Sequence, residues 1–253
     1  MSGSESPGVA RRAELARGYA AARERLDAAV TAAGRSRGDV ELLVVTKFFP
    51  AVDVRHLIDL GVRTFGESRE PEASRKIDEI RTGGADDAAV AAAEFDMIGS
   101  VQSKKAKSVA RWARTVHSVD RAKVVDALSA GAEAALDAGT RSADLHILLQ
   151  VSLDGDPQRG GVTVEDLPAL AEHVRGAGGL ALRGLMAIAP VEGAAEQWMA
   201  RAQQIHTDFL VDHPDARELS AGMSGDLEEA VAHGSTCVRV GTAIMGRRPL
   251  VSQ

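Results

Sequence analysis

Short β-prone runs alternate with longer Ala-rich helical stretches from one end of this chain to the other, and no other feature narrows its fold as much. The runs are ELLVVTK (41–47), RTFGES (63–68), EFDMIGS (94–100), TVHSVD (115–120), LHILLQV (145–151), LRGLMAI (182–188), ELSAGM (218–223) and CVRVGTAIMG (237–246). Between them stand stretches such as VDVRHLIDLG, SRKIDEIR, AKVVDALSAGAEAALDAG, VEDLPALAEHVRGAG, AEQWMARAQQIHTDFLVDH and DLEEAVAHG. A helix between two strands carries the chain back to run parallel to the first, so the alternation implies a parallel sheet covered by helices. Eight such units predict a single (β/α)8 TIM-type barrel. The competing arrangement is a doubly wound open sheet, because a count of strands does not prove closure. A chain of 253 residues suits one barrel, expected over residues 9–250 after a short disordered lead, residues 1–8. An extra helix over about residues 8–33 precedes the first strand. Leu15, Tyr19, Ala22 and Leu26 fall on one face of it, which would pack on the outside or bottom of the barrel.

Composition narrows the partners. With 45% hydrophobic and 26% charged residues the chain reads as a globular domain with a large core. A formal net charge of -6 supplies no field that would gather nucleic acid or an anionic membrane. No apolar run approaches the ~18 residues of a membrane span, and MSGSESPGVARR lacks the apolar region of a signal peptide, so the expected location is the cytoplasm. Cys237 is the only cysteine and reads as a small core residue; it allows neither an intrachain disulfide nor a cysteine-based zinc site. Seven histidines show no HExxH or related spacing, so no metal is expected. GMSGD lacks the second glycine of a GxSxG elbow, and RGAGG (175–179) follows a helix and reads as its stop. In QSKKAKSVARWAR (102–114), Lys104, Lys107, Arg111 and Arg114 share a helical face, read as solvated with anion binding as the other reading.

Three segments carry chemistry. In a parallel barrel the reactive groups collect where strands end and the following loops begin. Lys47 ends the first run among Val44, Val45, Phe48 and Phe49. Desolvation would favour its neutral amine, which can condense with an aldehyde such as that of pyridoxal phosphate; the plain alternative is a lysine opening an exposed loop. SAGMSGDLEEA (220–230) brings Gly222, Ser224 and Gly225 to the start of a helix near Asp226, a seat for a phosphate or an ordinary capped helix. TCVRVGTAIMG (236–246) places Arg239 within an apolar strand, with Gly241 and Thr242 at its end. There Arg239 either points into the barrel mouth or makes a buried salt bridge. The two segments occupy the seventh and eighth loops, where barrels frequently bind phosphate.

On LLVVTKFFP, GVRTFGES, FDMIGSVQSKKAK, VHSVDR, LLQVSLDGDPQRGGV, LRGLMAIAP and LSAGMSGDLEEAVAHGSTCVRVGTAIMGRR, the sequence resembles the pyridoxal phosphate homeostasis protein family. That family is similar to the barrel of the alanine racemase N-terminal domain. The resemblance spans about residues 12–248 and implies that Lys47 carries pyridoxal 5'-phosphate as a Schiff base. It further implies that Ser224, Gly225, Gly241 and Thr242 hold the phosphate, that Arg239 faces the pyridine nitrogen, and that Met186 lies against the ring. An arginine there disfavours protonation of the ring nitrogen and weakens the cofactor as an electron sink. The implied function is vitamin B6 and amino/keto acid homeostasis without turnover, with apo-forms of pyridoxal phosphate enzymes as partners and a monomer or weak dimer as the assembly. The alternative is a racemase-like enzyme, and a third reading is a vestigial barrel that serves as a partner-binding surface. The chain departs from the family pattern at Phe49, Ser68, Arg69, Asp96 and Lys104, all expected at the barrel mouth.

Overall fold

The computed structural model describes residues 7–83, 87–156 and 159–247. Residues 1–6 of the expected lead, 248–250 at the end of the expected domain, and Pro157, Gln158 and Arg248 of the quoted motifs lie outside the described residues. The first helix includes Pro7 and Gly8.

Eight parallel strands close into a barrel in sequence order: β1 Glu41–Val45, β2 Thr64–Glu67, β3 Glu94–Met97, β4 Ala113–Val119, β5 Leu145–Gln150, β6 Leu180–Met186, β7 Glu218–Ser220 and β8 Cys237–Val240. Closure is direct, because β8 pairs with β1 through Glu41 with Cys237 and Leu43 with Arg239. This excludes the open sheet. The helices are α1 Pro7–Ala32, α2 Ala51–Asp59, α3 Glu72–Thr82, α4 Ala88–Ala91, α5 Ala106–Trp112, α6 Ala122–Asp137, α7 Leu167–Gly176, α8 Ala195–Asp212, α9 Leu227–Ala232 and α10 Thr242–Met245, with a 3₁₀ turn at Ser103–Lys105.

Side-chain alternation along the strands builds two compartments. Leu42 and Val44 of β1 join the apolar layer between sheet and helices, whereas Leu43 and Val45 are buried apart from it. Leu148, Met186 and Cys237 are likewise buried outside that layer, which assigns them to the barrel interior. Helix α1 docks through Leu15, Ala22 and Leu26, with Tyr19 partly buried beside them. It runs along the outside of the barrel against α2, α9 and α10. Gly18 makes that approach feasible: a Cβ there would stand 2.7 Å from the Ile244 carbonyl oxygen.

Two expectations are corrected. The eighth run does not continue as strand to residue 246; Gly241 adopts φ -116° and ψ -78°, and TAIM coils into α10. Arg114 does not share a helical face with Lys104, Lys107 and Arg111, since α5 ends at Trp112 and Arg114 lies in β4, bonded to Asp96, Glu41 and Glu94.

Candidate functional site

Lys47 lies two residues past β1, on the rim where a barrel keeps its reactive groups. It is half-buried. A tight turn holds it, closed by the Phe49 N–H donating to the Thr46 carbonyl at 3.1 Å. Phe48, third residue of that turn, has φ +71°, in the left-handed region where such turns normally place glycine. For a phenylalanine this conformation costs on the order of 1–2 kcal/mol and persists only where the surroundings enforce it. The surroundings do so from both sides. The Thr46 hydroxyl donates to Glu67 at 2.7 Å, and Lys76 Nζ reaches the Thr46 carbonyl at 2.9 Å and Glu67 at 2.7 Å. On the outer side the Arg69 guanidinium stacks 5.0 Å from the Phe48 ring, with Lys47 Nζ 5.9 Å from the same ring. A cavity of about 510 Å³ opens here, within the range of small-molecule sites, lined by Lys47, Phe48, Ser68, Arg69 and Glu72 among others.

The remaining expected residues do not line that cavity; they gather at the ends of β6, β7 and β8. Arg239 is 5% exposed and points inward, and Leu43 is its ladder neighbour. Its Nη2 donates to the Ala187 carbonyl at 2.9 Å, directly after Met186, which is itself buried. Its Nη1 donates to Ser220 Oγ at 2.7 Å. No carboxylate bonds it among the described residues, so the expected alternative of a buried salt bridge does not hold. Burial pushes the guanidinium below its ordinary value, with nearby Asp226 opposing. An arginine nonetheless stays charged, so a cation with no carboxylate bonded to it among the described residues sits inside the barrel.

Ser224 and Gly225 occupy the loop that Asp226 closes by accepting the Met223 N–H at 2.6 Å. Asp226 therefore shapes the loop and makes no side-chain cap on α9, which starts at Leu227. The N–H groups of Ser224 and Gly225 have no acceptor among the described residues, and a Cβ on Gly225 would meet nothing within 4 Å. Gly241 lies against β1, where a Cβ would stand 3.3 Å from Val45 Cβ, and exposed Thr242 opens α10 next to it. The ends of β1 and β8 are thus neighbours, which puts Lys47 and the Gly241–Thr242 turn on one sector of the rim. An amine, an inward cation and an open backbone cradle form a donor set that fits an aldehyde bearing an anionic group.

The departures from the family pattern are not all at the mouth. Ser68, Arg69 and Lys104 are at least partly exposed, but Phe49 is buried under the Arg11 guanidinium, 5.6 Å from its ring. Asp96 is fully buried inside the barrel. Burial favours its protonated form, but the hydrogen bonds and charges of His117 and Arg114 prevail, and its carboxyl stays below the ordinary range.

The family model for the alanine racemase N-terminal domain matches residues 19–249. A Mycobacterium bovis protein called pyridoxal phosphate homeostasis protein is 47% identical over 253 aligned residues, covering 96% of each chain. The chain belongs to the pyridoxal phosphate homeostasis protein family. Among solved structures, an unknown protein from Bifidobacterium adolescentis superposes on this family member with TM-score 0.82 at 32% identity, covering 93% of this chain and 96% of its own. PipY of Synechococcus elongatus, solved with PLP bound, gives TM-score 0.75 at 29% identity over 92% of this chain and all of its own. Among the described residues of this member there is no cluster of metal-ligating side chains, and no helix long and apolar enough to cross a membrane.

Sequence reasoning missed Thr46, Glu67 and Lys76 under the lysine turn, and Ser220 and His117 beside Arg239. Ser220 lies in β7 and His117 in β4, and only closure of the barrel brings them beside Arg239.

Proposed function

We propose that this chain binds pyridoxal 5'-phosphate at the barrel mouth and holds it, without turnover, as a cellular reserve that supports vitamin B6 and amino/keto acid homeostasis. When bound, the cofactor supplies an aldehyde and an electron-withdrawing ring. Lys47 would hold the ligand through its amine, the group that can condense with that aldehyde. Ser224, Gly225, Gly241 and Thr242 offer N–H groups and a hydroxyl to the phosphate, and the open space at Gly225 lets the backbone come close. Met186 packs against the ring.

Arg239 is the observation that carries the reading of a carrier. Its buried charge meets only neutral acceptors, Ser220 Oγ and the Ala187 carbonyl. Beside a pyridine-type nitrogen such a cation keeps a second proton away, so electrons from a substrate carbon find no strong sink. A racemase-like enzyme of this fold would also need a second base opposite the lysine. The single tyrosine of the sequence, Tyr19, is on α1 outside the barrel. The receivers of the held cofactor would be apo-forms of enzymes that use it, in the cytoplasm, with the carrier a monomer or weak dimer.

The test is covalent mapping. Borohydride reduction of the loaded protein should add the cofactor's mass to the peptide bearing Lys47, and Lys47→Ala should lose both that mass and the visible absorbance band while keeping its melting temperature. A label on another lysine, or a band that survives in Lys47→Ala, would refute the anchor. Exchange of the α-proton of any amino acid in deuterated water would refute the absence of turnover.

A further inference from the structure

A line of polar side chains crosses the barrel interior from Arg239 to the opposite end, and the chemistry of its two termini fixes the bonds made there. At one terminus Arg239 can only donate, so Ser220 Oγ accepts from it at 2.7 Å. At the other, Asp96 accepts two bonds from Arg114, at 2.9 and 2.6 Å, and one from the Thr115 N–H at 3.2 Å. His117, 2% exposed, lies between, with Nδ1 3.0 Å from Ser220 Oγ and Nε2 3.2 Å from Asp96 Oδ2. An ionised carboxylate accepts only, so Nε2 carries the imidazole proton. Nδ1 shares its hydrogen bond with the Ser220 hydroxyl. His117 therefore holds Ser220 Oγ where it accepts from the guanidinium.

We propose that Asp96, His117 and Ser220 form a positioning array that fixes Arg239 toward a pyridine-type nitrogen while keeping its charge unneutralised. The inference rests on the reading of the mouth as a pyridoxal phosphate site. A carboxylate placed directly on Arg239 would steer the guanidinium equally well but cancel its field at the ring. Here two side chains, the Ser220 hydroxyl and the His117 ring, stand between the cation and Asp96. The negative charge at the far end is in turn absorbed by Arg114, which also meets Glu41 and Glu94 where β1, β3 and β4 begin. Orientation passes along the chain while the charges stay apart. Burial makes this steering necessary, because an arginine side chain has rotamers to lose when it is fixed inside a barrel.

The test uses the pyridoxal phosphate-loaded protein. Ser220→Ala deletes the link that orients Arg239. His117→Phe keeps a ring of similar size and leaves Asp96 its bonds to Arg114 and the Thr115 N–H, so no charge is stranded if the serine variant folds poorly. In each, the visible band of the Lys47 adduct should move in the same direction as in Arg239→Gln. In the doubles Ser220→Ala/Arg239→Gln and His117→Phe/Arg239→Gln it should move no further than in Arg239→Gln alone, since groups that act through one residue are not additive. A wild-type band in both single variants, or shifts that add to that of Arg239→Gln, would overturn the array. A wild-type protein that takes no label on Lys47 would instead overturn the binding reading and the array with it, so the two failures are told apart.

Discussion

Lys47 owes its placement to neighbours that hold the backbone rigid. The phenylalanine after it accepts a left-handed conformation because Thr46 is clamped from below by Glu67 and Lys76 while Arg69 covers the ring from above. Gly225 is the reverse case, a position where the protein leaves space. Because a Cβ there meets nothing within 4 Å, Gly225→Val should fold with the stability of the parent, within the roughly 0.5 kcal/mol usual for surface changes. If the phosphate sits in that space, affinity for pyridoxal phosphate should fall at least about tenfold, or about 1.4 kcal/mol. Titration calorimetry beside a thermal melt separates the two effects, and an unchanged affinity would remove Gly225 from the phosphate seat. Lys47 and Arg239 stand out in the sequence as candidates because a cation beside or within an apolar strand is conspicuous. Ser220 and His117 do not, since a serine or histidine in a strand is ordinary until the barrel closes and turns both toward the same guanidinium.

At the scale of elements, the errors of sequence reading arose where one element passes into the next without a breaker. VARWARTVHSV contains neither glycine nor proline, so nothing marks the change at Ala113 from α5 to β4, and Arg114 read as part of a helical face. TAIM is four residues long, too short for periodicity to separate helix from strand. Its helical form matters because α10 begins at Thr242 and is braced from outside by α1. The brace depends on Gly18, where an added Cβ would lie 2.7 Å from the Ile244 carbonyl oxygen and 3.0 Å from its Cα. Backbone atoms cannot step aside as a flexible side chain does. Gly18→Val should therefore destabilise the protein by about 1–3 kcal/mol, the usual range for overpacking, and shift the urea midpoint with it. Pushing α10 off its seat should also weaken cofactor binding. A midpoint equal to the parent's would show that the two helices cross with room to spare.

For the whole molecule, the alternation of strands and helices foretold the parallel barrel, whereas the pairing of β1 with β8 that closes it is visible only in three dimensions. Burying a barrel also buries titratable groups, and this sets how the fold meets acid. His206 of α8 is 8% exposed; burial pushes its pKa down, and the hydrogen bond to the Ala216 carbonyl only partly opposes this. His146 is likewise pushed down, by burial first and then by the Arg183 charge. A histidine depressed in the folded state holds fewer protons there than in the unfolded chain, so stability rises with pH through the window just below the ordinary value of about 6.5. The contribution is present above that value and drains away as pH falls. Asp96 adds a second stage with the same sign lower down, because a carboxyl held below its ordinary range stabilises the fold above about pH 4 and ceases to do so beneath it. Urea unfolding from pH 7.5 to 5 should accordingly show a loss of stability beginning near pH 6.5, before any carboxylate titrates. His206→Gln keeps an N–H donor for the Ala216 carbonyl but cannot gain a proton, so its stability should fall less steeply than the parent's over the same range. Equal slopes for the two proteins would mean that His206 is not among the groups that tie folding to acid.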